Sequence, residues 1–110
     1  MKEIALYLTE ISMKDSLKLL ELLNDYFKQN NLDRALLHYY TTTIHDEQGN
    51  VVAKRNLAKM LSKVRKNQIQ IVIVYSTKET MIDKTELNHI KKFTNEHNIP
   101  FVSLVENSKF

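Results

Sequence analysis

Residues 69–75 read IQIVIVY, and they decide the fold. The run is too short for a buried helix and too apolar for a strand with one wet face. It therefore predicts a strand covered on both sides, at the centre of a sheet. Just before it, Leu57, Met60, Leu61 and Val64 recur at helical spacing and mark an amphipathic helix. Just after it, Asp83 followed by Glu86 has the form of a helix-start box. Leu87, Ile90 and Phe93 mark the buried stripe of the helix that follows, and Asn98 and Pro100 stop it. Residues 101–105 (FVSLV) predict a final strand.

Toward the N-terminus, residues 4–9 (IALYLT) form another short run apolar nearly throughout, predicting a second doubly covered strand. From Ser16 the spacing turns helical, with Leu20, Leu23 and Phe27 on one face and Leu17, Leu19 and Tyr26 along its flanks. Ser12, Asp15 and Ser16 are candidate caps, and Asn30 and Asn31 suit the helix end because Asn tolerates the left-handed conformation. Residues 35–44 (ALLHYYTTTI) are rich in aromatic and β-branched types and run into a turn signal at residues 46–50, which predicts one more strand. Strands and helices thus alternate, implying right-handed crossovers and an α/β fold of three layers. Its mainly parallel four-stranded sheet has the order 2-1-3-4, with helices on both faces, flavodoxin-like in outline.

The 110 residues, 43% hydrophobic and 26% charged, suit one domain spanning 1–110 with a single core. Gly49 and Pro100 are the only residues of their types, so no flexible linker is expected. The absence of cysteine excludes disulfides and thiolate metal sites. The opening MKEIALYLTE has no apolar segment of signal-peptide length, and no apolar run approaches the roughly 20 residues that cross a bilayer. A cytoplasmic protein without a membrane partner is expected. The net charge is +3, but Lys54, Arg55, Lys59, Lys63, Arg65 and Lys66 crowd into residues 54–66 with no acidic residue among them. Such a face could contact phosphates and release counterions, or simply be solvated.

Ligands of open α/β sheets sit beyond the carboxyl ends of the strands, where the strand order reverses. Here that crevice is lined by Thr9, Glu10 and Ser12 after the first strand and by Ser76, Thr77, Lys78 and Glu79 after the third. Neither loop contains glycine, so backbone amides are not free to wrap a phosphate, and no nucleotide or other cofactor is expected. His38, His45, His89 and His97 lack metal-site spacing, and no metal is expected. No acidic cluster has metal-binding form, although Glu10, Glu79 and Asp83 are placed to approach one another across the crevice. Ser12 has no nearby base in sequence and suits a helix cap as well as a nucleophile. Lys78 beside Glu79 suits an exposed ion pair as well as an anion site.

From residue 4 to residue 106 the signals resemble the N-terminal catalytic domain of serine recombinases, the resolvase and invertase family. IALYLTEIS is similar to the family's opening strand Y-x-R-V-S, and RNLAKMLSKVRKNQIQIVIVY to its L-x-x-M-L-x-x-V-R-x-G helix and central strand. STKETMIDKTEL is similar to its D-R-L-S-R stretch and the helix beyond, and HNIPFVSLVEN to its last core strand. The resemblance implies a resolvase-like fold and an ancestral chemistry in which a serine attacks a DNA phosphodiester while arginines hold the transition-state charge. The residues that do this are missing. Thr9 stands at the first arginine and Ile11 at the serine; Lys78 stands at the aspartate, Glu79 and Ile82 at two arginines, and Met81 at the serine between them. Lys54 keeps the charge of a further arginine but not its planar fork. Losing one preorganised charge donor costs roughly 100- to 1000-fold in rate, so losing several with the nucleophile should abolish the reaction.

Three functions follow as expectations. The first is a non-catalytic recombinase-like domain, a protein-interaction or regulatory part of a mobile-element or DNA-recombination system, acting through contact with another recombinase-like protein or with itself. The second is nucleic-acid binding, DNA included, by the face from Lys54 to Lys66. The third is a recombinase still cleaving DNA through Ser12, reached by a one-residue slip of the motif.

Overall fold

The central strand of the computed structural model runs from Ile69 to Val74 (IQIVIV), and its neighbour from Glu3 to Leu8 (EIALYL) is buried from Ile4 onward on both faces. We call the strand from Glu3 to Leu8 β1. The structure describes residues 1–41, 44–53 and 56–109. In chain order the remaining elements are α1 (Glu10–Lys14), α2 (Ser16–Gln29), β2 (Leu37–Thr41), β3 (Ile44–His45), β4 (Val51–Ala53), α3 (Leu57–Arg65), β5 (Ile69–Val74), α4 (Lys84–Glu96), β6 (Phe101–Ser103) and β7 (Ser108–Lys109). The main sheet is ordered β2-β1-β5-β6-β7. Its first four strands are parallel, which is the expected order 2-1-3-4.

Alternation along β1 divides the core into two. Ile4, Leu6 and Leu8 join Ile73, Tyr75 and Leu104 against Leu19, Leu23 and Phe27 of α2. Ala5 and Tyr7 join Val72, Val74 and Phe101 against Met60, Leu61 and Val64 of α3 and Leu87 and Ile90 of α4. The three layers are thus α2, the sheet, and α3 with α4. Pairing of β1 with β5 skips one residue between Glu3↔Ile69 and Ile4↔Ile71, leaving Gln70 bulged out. The skip reverses the inward–outward alternation, so Ile69 and Val72 share the α3–α4 core although three positions apart. Gln70 spends its side-chain amide on the Lys2 carbonyl at 2.7 Å.

Four details differ from the sequence reading. The strand expected over residues 35–44 is shorter, because Asp33 caps a 3-10 turn at Arg34–Leu36 that takes in Ala35; Ile44 belongs instead to β3. β3 and β4 form an antiparallel hairpin around a turn in which the Asp46 carboxylate accepts the Gln48 and Asn50 amides. The last strand stops at Ser103, and residues 104–107 turn back into β7, an antiparallel edge strand. On α2 the buried stripe is Leu19, Leu23 and Phe27, while Leu17 is 84% and Leu20 45% exposed.

With a single glycine in the chain, asparagine terminates the helices. Asn31, Asn67 and Asn98 have φ of 52°, 59° and 55°. Each sits two residues past its helix, in a pair of hydrogen bonds such as Gln68 N–H to Lys63 O (2.9 Å) and Asn67 N–H to Val64 O (3.1 Å). That is the double bond of a left-handed helix stop. Asn67→Gly should raise the unfolding free energy by about 0.5 kcal/mol and Asn67→Ala should lower it by about 1 kcal/mol, read from equilibrium urea denaturation.

Candidate functional site

The carboxyl edge of β1 and β5 carries a shallow depression of about 220 Å³ lined by Thr9, Glu10, Glu79, Thr80, Met81, Ile82, Asp83 and Glu86. Thr9, Glu79, Met81 and Ile82, four of the positions named from the resemblance to serine recombinases, line it together. Thr9 joins the two loops directly, its hydroxyl donating to the Met81 carbonyl at 2.7 Å. Met81 packs partly buried beside the α2 core, and Ile82 is buried in the α3–α4 core. Lys78 and Glu79 are exposed, and the Lys78 carbonyl accepts the Met81 and Ile82 amides in the turn after β5.

Ser12 is buried and committed to its own helix. Thr9 is the N-cap of α1 and accepts the Ser12 amide, while the Ser12 hydroxyl accepts the Thr9 amide and donates to the Thr9 carbonyl, both at 2.9 Å. This is a capping box with serine in the role more often taken by Glu or Gln. Ile11 lies in α1, and its side chain is outside the described part of the structure. Lys54 and Arg55 lie outside the described residues.

Charge at this edge is mostly negative. Glu10, Glu79, Asp83 and Glu86 all face the depression, and among the described residues lining it none is basic. Asp83 caps α4 by accepting the Thr85 and Glu86 amides. Glu86 does not close the box; it turns inward and accepts the buried Tyr7 hydroxyl at 2.8 Å. Among the described residues, no group of His, Asp or Glu is arranged to hold a metal ion, so Glu10, Glu79 and Asp83 share the depression without forming such a site. Two further carboxylates take roles the sequence does not signal: Asp15 stands at the N-cap of α2 as expected but makes no capping bond with its side chain, and nothing in the sequence singles out Glu106. Asp15 accepts the Tyr75 hydroxyl, and burial, this bond and the charges of Asp15 and Glu106 push Tyr75 up to about 12. Glu106 reaches from the turn after β6 to the end of β5, where Ser76, Thr77 and Ser103 all donate to it. Partial burial opposes ionisation of Glu106, but those donors hold it below its ordinary value.

The basic helix is partly spoken for. Lys59, Arg65 and Lys66 are exposed on α3, whereas Lys63 donates to Glu3 at 2.6 Å and lies 5.7 Å from the centre of the Tyr40 ring. Tyr40 donates to the other Glu3 oxygen at 2.6 Å, and His38 stands 3.8 Å from it. His89 is exposed, and His97 stacks on Phe93 with Nδ1 at 2.8 Å from the Phe93 carbonyl. The His45 side chain is outside the described part.

No family model matches the chain, and no curated protein or solved structure matches it. No described helix is long and apolar enough to cross a membrane.

Partial burial works against the Glu3 carboxylate, but Lys63, Tyr40 and His38 outweigh it and hold the group below its ordinary 4.5. A depressed folded-state value contributes stability that is present above 4.5 and lost as pH falls through the folded value. The stability gap between the wild type and Glu3→Gln should therefore be constant near neutrality and shrink on acidification below 4.5, read from urea midpoints at a series of pH values.

Proposed function

We propose that this chain is a resolvase-like domain without the family's chemistry, acting by contact with a recombinase-like partner or with a second copy of itself in the cytoplasm. The supporting observation is the chemistry of the carboxyl edge. Where a DNA phosphodiester would have to be gripped, the lining is acidic, and the hydroxyls of Thr9 and of Ser12 behind it are held in a helix cap. A phosphate entering there meets like charge, and like charges brought together in a partly desolvated site repel by several kcal/mol. Incubation with supercoiled DNA should give neither nicks nor covalent protein–DNA adducts, by agarose gel and denaturing electrophoresis. An adduct that disappears in Ser12→Ala would overturn the proposal.

A second reading, a sequence-independent nucleic-acid face, is favoured by the exposure of Lys59, Arg65 and Lys66 on α3 beside α4, which adds exposed Lys84 and Lys92. Lys63 contributes less, since Glu3 already neutralises it. On this reading a double variant Lys59→Glu, Lys66→Glu should weaken gel retardation of DNA and reduce the salt slope of binding by about two phosphate contacts. Unchanged retardation would end it.

A further inference from the structure

We propose that Ser76, Thr77 and Ser103 form a latent oxyanion site, filled in the resting chain by the Glu106 carboxylate and open to a phosphate group when residues 106–107 withdraw. Four donors converge on this one side chain. The Ser76 hydroxyl reaches one oxygen at 2.7 Å; the Thr77 amide (2.6 Å), the Thr77 hydroxyl (3.0 Å) and the Ser103 hydroxyl reach the other. A backbone amide and three hydroxyls aimed at one point are what tetrahedral oxyanions use, and a phosphate has more terminal oxygens than a carboxylate with which to accept them.

The site is built rather than fortuitous. Ser103 is 0% and Ser76 3% exposed, and Ser76 is itself steadied by the Lys78 amide at 3.2 Å. Removing the carboxylate would leave these buried hydroxyls short of the acceptor they now share, a cost that favours replacement by another acceptor. Lys78, one residue past the donors, has an exposed ammonium to offer. Glu106 sits in the four-residue turn 104–107, whose first two amides are tied to the Val74 and Tyr75 carbonyls at 3.0 and 2.9 Å, while Asn107 at φ 50° leads into the two-residue pairing of β7 (Val102↔Lys109, Ser103↔Ser108); the withdrawal needed is therefore of residues 106–107, with Leu104 and Val105 staying in place. Glu106 thus stands to this cluster as an internal competitor stands to a ligand. The acidic depression beneath Thr9 is a separate surface, and Asp15 beside Tyr75 limits how tightly a second anion can be held.

The test uses the full chain, wild type and Glu106→Ala, titrated with sodium phosphate and, in parallel, with sodium chloride of matched ionic strength. Glu106→Ala should show a saturable shift of the Thr77 amide resonance and a phosphate-dependent rise in melting temperature, with affinity at least about tenfold above wild type. Adding Ser76→Ala should remove both. O-phosphoserine used in the same way distinguishes a phosphomonoester from the free ion as the preferred form. Should Glu106→Ala fail to fold, Glu106→Gln keeps the size and an accepting oxygen without the charge, and should show a weaker version of the same response. A folded variant whose Thr77 amide and melting temperature ignore phosphate, or answer chloride equally, overturns the proposal; water then fills the cluster.

Discussion

Pairing of β1 with β5 is the constraint on which the rest of the molecule depends. From Ile4 in β1 and from Val72 in β5 the side chains are buried on both faces, so neither strand has a side open to water there, and each layer of helices covers one set of alternating side chains. The bulge at Gln70 adjusts that pairing at its amino end, letting Ile69 enter the α3–α4 core while the polar Gln70 amide finds a backbone acceptor. At the other end the same two strands deliver Thr9 and Ser76 to one edge. What the edge contains is therefore decided by the loops, not by the sheet.

Much of this was legible in the chain. Runs such as IALYL and IVIV have one physical solution at their length, and the Asp83 cap and the asparagines after the helices are local signals read without knowing the fold. What escaped depends on partners far apart in sequence. Leu17 and Leu20 fit a helical stripe as well as Leu19 does, and only the direction from which α2 meets the sheet puts Leu19 inside and leaves the other two in solvent. Glu86 reads as half of a capping box, but Tyr7, 79 residues earlier, claims it. Lys63 reads as one of six equivalent basic residues until β1 brings Glu3 beneath it. Nothing near Glu106 hints that three hydroxyls from two strands will surround it.

The same pattern governs the candidate site. Of the positions named from the recombinase resemblance, Thr9, Glu79, Met81 and Ile82 line one depression, Lys78 is not among its lining residues, and Lys54 and the Ile11 side chain lie outside the described part of the structure; the gathering of the four follows from strand order. Their chemistry was also readable, because residue types are printed in the sequence. Electrostatic character was readable in part: strand order already brings Glu10, Glu79 and Asp83 toward one crevice, while Glu86, which reads as half of a helix cap, joins the acidic lining only in the folded chain. Two anion environments result a few residues apart. One repels phosphate, and the other already holds an anion of its own.

Spatial order in this sheet runs against the order of synthesis. β1 precedes both β2 and β5 in the chain yet lies between them, so after β2 appears one long edge of a strand destined for burial on both faces stays bare until residues 69–74 have been made. At about 5–20 residues per second that interval lasts seconds, long compared with the collapse of a short chain. Between those two points the nascent chain carries an unpaired hydrophobic strand edge, and the demand for chaperone protection is set by topology before any folding barrier is met.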